Sequence, residues 1–256
     1  MYARRGEAVK SDILRVFLWV AIVIFAQPGW AAETPSYSWT GWYIGAHLGY
    51  GWANADTTIT PLFNGVAGHD IVIPSKLHPD PEGVTGGGQF GYNLQIGCFV
   101  LGIEADFSGS AISGSSTVAP VILNGILRPQ GTLMSHEDIS WYGTLRPRVG
   151  YSVTPLLLLY GTGGLAYGHA NYSADTIFPT VQYPASTSST RVGWAAGGGV
   201  EYAIWKCWSV KAEYLYIDLG NETAIANPIP PNPPFQSLKD WNTAFHTFNV
   251  GLNYKF

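Results

Sequence analysis

The stretch FVLGIEADFS, residues Phe99–Ser108, sets the pattern from which the fold is predicted. From Phe99 to Phe107 the odd-numbered positions carry apolar side chains. The even-numbered positions begin with one valine, Val100, and then carry only small or charged side chains, namely glycine, the carboxylates Glu104 and Asp106, and serine. A period of two indicates a β-strand whose two faces meet different surroundings.

Seven further segments have the same alternating character and are bounded by residues that favour turns. In one of them, 156–168, both faces carry leucine and glycine, so its apolar face stays open and a bulge is one explanation. Together the eight segments predict an all-β, antiparallel protein. The other seven are Trp42–Asn54, Gly83–Gln95, Ile139–Tyr151, Leu156–Gly168, Arg191–Tyr202, Trp208–Ile217 and Thr247–Phe256.

The connections between these segments alternate in length. Three are short, namely Gly97-Cys98, Ser152–Pro155 and Ala203–Cys207. Barrels of the bacterial outer membrane have short periplasmic turns, long external loops and an even number of strands. The alternation therefore predicts an eight-stranded up-and-down transmembrane β-barrel with both termini periplasmic and four long loops outside. The long connections are Ala55–Glu82, Gly109–Asp138, His169–Thr190 and Gly220–His246.

The composition also favours a protein that lies in lipid. Charged residues make up 12% of the 256 residues and aromatic residues 14%, whereas soluble domains carry about a quarter charged residues. A net charge of −4 and a pI near 5.8 exclude nucleic-acid binding through bulk charge. The high aromatic content argues against disorder.

The N-terminus has the layout of a secretory signal. Basic residues precede the apolar run Val16–Ala26, which is too short to cross a bilayer as a helix, and small residues follow at Gly29–Ala31. We therefore predict a cleaved leader over residues 1–31 and a barrel domain over residues 32–256. The alternative is an uncleaved N-terminal anchor.

The charged residues of the strands fall on the faces with small or polar side chains. The interior of an eight-stranded barrel is narrow and filled by side chains. Charges in such an interior persist when they are paired and hydrogen-bonded. We therefore hypothesise a salt-bridge network that closes the lumen. Its predicted members are Glu104, Asp106, Arg146, Arg148, Glu201, Lys211 and Glu213.

Several motifs resemble one known family. WTGWYIGAHLGYGW (Trp39–Trp52), WSVKAEYLYIDLG (Trp208–Gly220) and the ending HTFNVGLNYKF are similar to the small porin-like outer-membrane β-barrel proteins of Gram-negative bacteria. That family includes immunogenic surface proteins, and its barrel is similar to the eight-stranded OmpA-like barrel. The resemblance implies no catalytic residues and no cofactor. It also implies that the C-terminal strand is read by the barrel-assembly machinery through Val250, Leu252, Tyr254 and Phe256.

The expected role is structural, with contacts to outer-membrane lipid and lipopolysaccharide and an external ligand that the sequence does not identify. A narrow porin for small solutes is the alternative, and a lipid-modifying enzyme is a third reading. The histidines show no metal-ligand spacing. Cys98 and Cys207 lie in an oxidising compartment, which favours a disulfide. Their turns lie on nearly opposite sides of the ring, which opposes one.

Overall fold

A computed structural model of the chain describes residues 37–63, 66–67, 72–73, 75–123, 126–128, 130–229 and 235–256. The predicted leader, residues 1–31, lies outside the described residues. Within the described ranges, no helix has the length and apolar character needed to cross a bilayer.

Eight long strands form a closed antiparallel ring in which each strand pairs with its neighbours along the chain. The ring closes where the first strand pairs with the last, from Tyr43 opposite Lys255 to Trp52 opposite His246. The predicted eight-stranded up-and-down barrel is therefore confirmed. The strands are β1 Gly41–Trp52, β2 Glu82–Ile96, β3 Phe99–Val118, β4 Thr132–Thr154, β5 Leu157–Phe178, β6 Val181–Ala203, β7 Trp208–Ala226 and β8 Phe235–Lys255.

The short predicted turns lie at one end of the barrel, which we call the turn end. Gly97 in the turn between β2 and β3 has a φ of 62°, a conformation that glycine adopts without a steric penalty. The next residue, Cys98, is an exposed free thiol, and Cys207 in the turn before β7 is also free. The two cysteines are therefore not bridged.

The predicted long connection 55–82 lies between the end of β1 and the start of β2. The other three predicted loops are wrong, because the barrel strands continue through most of 109–138, 169–190 and 220–246. β5 and β6 run on to a turn at Pro179-Thr180, so the predicted loop 169–190 is a regular hairpin. β3 reaches Val118 and β4 begins at Thr132. A short strand, Thr57–Phe63, pairs with the start of β8. A separate small sheet contains Val72–Ile73, Val121–Leu123 and Ile126–Arg128.

The structure settles the orientation of the segment 156–168. Leu158 and Ala166 are fully buried inside the barrel, whereas Leu159 and Leu165 are exposed outside it. The pairing of β5 with β6 runs without a register shift, so β5 has no bulge on that side. The β4–β5 pairing has two irregularities, and both lie on β4, between Ile139 and Trp141 and between Ser152 and Thr154.

The outer wall carries an apolar band between two belts of aromatic rings. At the turn end, rings pair at 4.9–5.6 Å, for example Trp208 with Tyr254. The second belt includes Trp141, which contacts Tyr167, and Trp194, which contacts Tyr216. We call the wall beyond this second belt the extension. It contains residues 113–118, 132–138, 171–178, 181–188, 221–226 and 235–242.

Candidate functional site in the barrel interior

The barrel interior contains one network of buried charges centred on Arg146. The side chains alternate along each strand, so inward positions of β3, β4 and β7 face one another across the narrow lumen. Arg146 Nη2 lies 3.1 Å from Glu104 Oε1, 2.9 Å from Asp106 Oδ2 and 3.2 Å from Glu213 Oε1. Its Nε donates to Thr144 Oγ1 at 2.6 Å. One guanidinium group therefore contacts three carboxylates.

Arg148 and Lys211 extend the network toward the turn end and across to β6. Arg148 Nη2 lies 2.9 Å from Glu201 Oε2, and Lys211 Nζ lies 2.9 Å from Glu104 Oε1. The Arg148 guanidinium also lies 3.8 Å above the centroid of the Tyr160 ring, where a cation–π interaction adds to the ion pair. The structure thus brings together all seven charged residues that we predicted for the lumen.

Uncharged side chains that the sequence reasoning did not assign to this network complete it. Tyr43 Oη donates to Glu104 Oε2 at 2.7 Å, and Tyr160 Oη donates to Glu213 Oε2 at 3.1 Å. Asn253 Nδ2 donates to Glu201 Oε1 at 2.8 Å. Tyr43 lies on the glycine-rich face of β1, which is the face predicted to line the lumen. This position could have assigned Tyr43 to the network.

Gly91 on β2 leaves the space that Tyr43 occupies. A Cβ atom at position 91 would lie 2.7 Å from the Ile103 carbonyl oxygen and against the Tyr43 hydroxyl. We predict that Gly91→Ala lowers the free energy of unfolding by about 1–3 kcal/mol through this overpacking, as measured by urea titration of the refolded barrel. Gly88→Ala is the matched control, because its nearest contact is a Gly45 oxygen at 3.5 Å. An equal loss in both variants would contradict this account.

An apolar stopper fills the turn end of the lumen. Tyr37 and Trp39 precede β1 and are buried against Val100, Leu158 and Ala203. The Trp39 backbone N–H donates to Gln95 Oε1 at 2.9 Å, which ties the segment to β2. Because Trp39 is almost fully buried, this segment blocks the lumen below the charged network.

A second apolar layer closes the lumen on the other side of the network. Its members include Ile112, Leu215, Ile217 and Phe245, all with 1% exposure or less. Tyr142 packs edge-on against Phe245 at 5.3 Å between ring centroids. The charged network therefore lies between two apolar layers.

A serine–histidine contact in the lumen bears on the question of enzymatic activity. His47 Nε2 lies 2.8 Å from Ser108 Oγ, and His47 Nδ1 lies 2.5 Å from Gln89 Oε1. Ser108, His47 and Gln89 thus stand in the order of nucleophile, base and orienting group that hydrolytic sites use. However, Ser108 is fully buried, and the space beside it is too narrow for a water molecule. A substrate therefore has no room beside Ser108 in this arrangement.

The extension has its own buried polar groups. Glu137 on β4 is 1% exposed, and its Oε2 atom has no hydrogen-bond partner. Burial raises the pKa of Glu137 to about 7, although a hydrogen bond with Thr243 acts in the opposite direction. Lys239 on β8 is fully buried and donates to Thr176 Oγ1 at 2.5 Å. Burial lowers the pKa of Lys239 to about 7, and the Asp175 carboxylate partly opposes that effect.

The C-terminal residues lie on the outer wall of β8. Val250, Leu252, Tyr254 and Phe256 are all exposed to the surroundings of the barrel. β8 pairs with β1 over Tyr43–Trp52, so the residues of the predicted assembly signal lie on the strand that closes the ring. In the described parts of the chain, no group of three or more His, Cys, Asp or Glu side chains is arranged to hold a metal ion.

Comparison with known proteins identifies the family. A family profile described as "outer membrane protein beta-barrel domain" matches residues 17–256. The chain belongs to this family. As an outer-membrane β-barrel protein it is placed in the bacterial outer membrane, so the apolar band on its wall faces lipid.

Curated relatives of this outer-membrane β-barrel protein are named for their immunogenicity. A "31 kDa outer-membrane immunogenic protein" of Brucella melitensis is 36% identical over 240 residues, which cover 92% of each chain. A "22 kDa outer membrane protein" of Rhizobium leguminosarum is 34% identical over 136 residues, 52% of each chain. Among solved structures, the outer-membrane protein OprG from Pseudomonas aeruginosa aligns with a TM-score of 0.49 and 14% identity, covering 85% of this chain and 96% of that one.

Proposed function

We propose that this protein is a sealed, non-conducting and non-enzymatic component of the outer membrane that anchors the extension as a surface structure. The observation that carries the proposal is the closure of the lumen. The charged network lies between the Tyr37–Trp39 stopper and the apolar layer around Phe245. Because each guanidinium is held by carboxylates on other strands, opening a path would separate several buried ion pairs at once.

The proposed orientation places the turn end in the periplasm and the extension outside the cell. Short turns on the periplasmic side are the rule for bacterial barrels, and both described termini lie near the turn end, because the start of β1 pairs with the end of β8. The extension then becomes the surface that an immune system meets, in line with the names of the relatives. Lipopolysaccharide and lipid are the proposed partners of the outer wall. The barrel-assembly machinery is the proposed partner of the C-terminal residues that end in Phe256.

A narrow porin is the competing function. The test is conductance of the refolded mature chain in planar bilayers, after heat-dependent gel mobility has shown that the sample is folded. The sealed lumen predicts no unitary current steps above the bare bilayer. Steady single-channel steps from the folded fraction would overturn the proposal and establish the porin.

A lipid-modifying enzyme is the remaining alternative. It predicts turnover of phospholipid or lipid A by the same folded sample, with loss of activity when a partly exposed histidine such as His169 is replaced. If the protein is sealed and non-enzymatic, the folded sample should produce no lipid turnover above that of protein-free vesicles. Turnover that depends on His169 would contradict the non-enzymatic assignment.

A further inference from the structure

A continuous set of hydrogen-bonded side chains lies on the outer wall where the second aromatic belt meets the extension. Asn171 Nδ2 donates to Asp138 Oδ1 at 3.2 Å and to Ser140 Oγ at 3.0 Å. Asn171 Oδ1 accepts from Ser188 Oγ at 2.8 Å. We call this surface the polar patch. Its members, none of which is buried, are Asp138, Ser140, His169, Asn171, Ser188 and Thr190.

His169 joins the polar patch to the aromatic belt. Its Nδ1 lies 3.1 Å from Thr190 Oγ1, and its Nε2 lies 3.1 Å from Ser188 Oγ. The His169 ring is nearly parallel to that of Trp141, with 6.0 Å between the ring centroids. Trp141 stacks in turn on Phe107 at 5.5 Å. The wall therefore changes from aromatic to hydrogen-bonding side chains at His169.

The hydrogen bonds of the polar patch all run toward Asp138. The Asp138 carboxylate only accepts, so the Asn171 amide nitrogen faces it and the amide oxygen faces Ser188. Ser188 gives its one hydroxyl hydrogen to Asn171, so His169 Nε2 donates to Ser188. With its proton on Nε2, the ring accepts from Thr190 at Nδ1. The donors are therefore used within the patch.

What the polar patch offers to a ligand is acceptor capacity. Asp138 accepts through Oδ1 in its contacts with Ser140 and Asn171. Among the described residues, Asp138 Oδ2 and the lone pairs of the Thr190 hydroxyl are left for a ligand. A ligand of this surface must therefore bring its own hydrogen-bond donors.

A β-bulge on β4 shapes this surface. Ile139 and Tyr142 both face the interior, and the register shifts between Ile139 and Trp141 on both sides of β4. Ser140 and Trp141 are consecutive, yet both lie on the outer wall, which strict alternation does not allow. The bulge therefore places an extra hydroxyl between the aromatic belt and Asp138.

We propose that the polar patch binds the sugar headgroup of lipopolysaccharide, with the acyl chains lying along the aromatic belt and the apolar band. The proposal rests on the proposed orientation, which puts the extension outside the cell. Sugar hydroxyls donate, as this surface requires, whereas ionised phosphate oxygens only accept. The polar patch itself contains no Lys or Arg, and the neighbouring Arg191 is paired with Glu222.

The test is native mass spectrometry of the refolded mature chain in detergent micelles, titrated with a deep-rough lipopolysaccharide. Phosphatidylglycerol and phosphatidylethanolamine are titrated in parallel. Lipopolysaccharide is expected to bind about tenfold more tightly than either phospholipid, the effect of one additional charge-assisted hydrogen bond. Enzymatic removal of its phosphates should leave that affinity unchanged. Equal affinity for phosphatidylethanolamine would show recognition of an ammonium group, and loss of binding after dephosphorylation would show recognition of phosphate. Either result would overturn the proposal.

Asp138→Asn localises the site. It removes a charged acceptor, so binding of the sugar is expected to weaken about tenfold. A phosphate ligand would instead bind more tightly once the negative charge is gone. Asp240→Asn is the matched control, because it makes the same change at a partly exposed position of the extension on β8, outside the polar patch. Unchanged or tighter binding by Asp138→Asn would contradict the proposal, as would equal weakening in both variants.

Failure of this site is distinguishable from failure of the sealed barrel. Conductance of the same folded sample tests the lumen and does not depend on the polar patch. Absence of current steps together with wild-type lipopolysaccharide binding by Asp138→Asn would leave the sealed barrel in place and reject the sugar site.

Discussion

Replacing Arg146 with methionine is expected to lower the free energy of unfolding by about 3–5 kcal/mol. Arg146 is fully buried and lies within 3.2 Å of three carboxylates, Glu104, Asp106 and Glu213. Methionine fills much of the same volume. It leaves Glu104 paired with Lys211 and Arg148, Glu213 paired with Lys211, and Asp106 with the Thr144 hydroxyl in place of a guanidinium. The loss is measured by urea titration of the folded barrel in vesicles.

Arg191→Met is the matched control for this experiment. Arg191 pairs with one carboxylate, Glu222, instead of three, and its side chain is 28% exposed. Ion pairs that solvent reaches contribute about 0–1 kcal/mol, so this variant should be close to wild type. If Arg146→Met were no more destabilising than Arg191→Met, the buried network would not hold the lumen together.

Replacing Glu137 with glutamine is expected to stabilise the barrel progressively as the pH rises. The folded-state pKa of about 7 lies above the ordinary value of 4.5. The stability that Glu137 contributes is therefore fully present below pH 4.5 and is lost as the pH rises through 7. Because Glu137→Gln does not ionise, its advantage over the wild type should grow by about 2 kcal/mol between pH 5 and pH 8.

The comparison uses urea titrations of both proteins at pH 5 and pH 8. The depressed pKa of Lys239 gives stability above pH 10.5 that is lost as the pH falls through about 7. This pH dependence of stability is opposite to that of Glu137. Because Lys239 titrates in both proteins, its effect cancels when their free energies of unfolding are subtracted. Glu82→Gln, at an exposed position, should show no such trend. A constant difference between Glu137→Gln and wild type would mean that Glu137 is solvated in the folded protein.

The membrane-spanning wall could be predicted from the sequence because its two faces differ so strongly. Leu101 and Ile103 lie outside, and Glu104 and Asp106 lie inside, as the period of two requires. The extension was missed because most outward positions of its wall carry polar side chains. In β5, the inward residues Tyr172 and Ala174 still alternate with outward polar ones, but without large outward apolar side chains the pattern looked like a polar loop.

The candidate site could be predicted in part. Arg146 and Glu213 were assigned to the lumen because a charge on the lipid-facing side at mid-membrane costs roughly 2–4 kcal/mol. The partners within the network depend on register across strands far apart in sequence, which the alternation alone does not give. The Tyr37–Trp39 stopper was missed for another reason, since it precedes β1 and folds back into the lumen without belonging to a strand.

The most direct test of the inside-out wall uses single fluorescent labels in reconstituted vesicles. Labels are attached to cysteines at Leu101, Trp194 and Val250, after Cys98 and Cys207 have been replaced by serine. All three positions are exposed on the outer wall, so lipid-borne quenchers should reduce their emission while iodide in the buffer does not. Quenching by iodide and not by the lipid-borne agent at these positions would contradict the account.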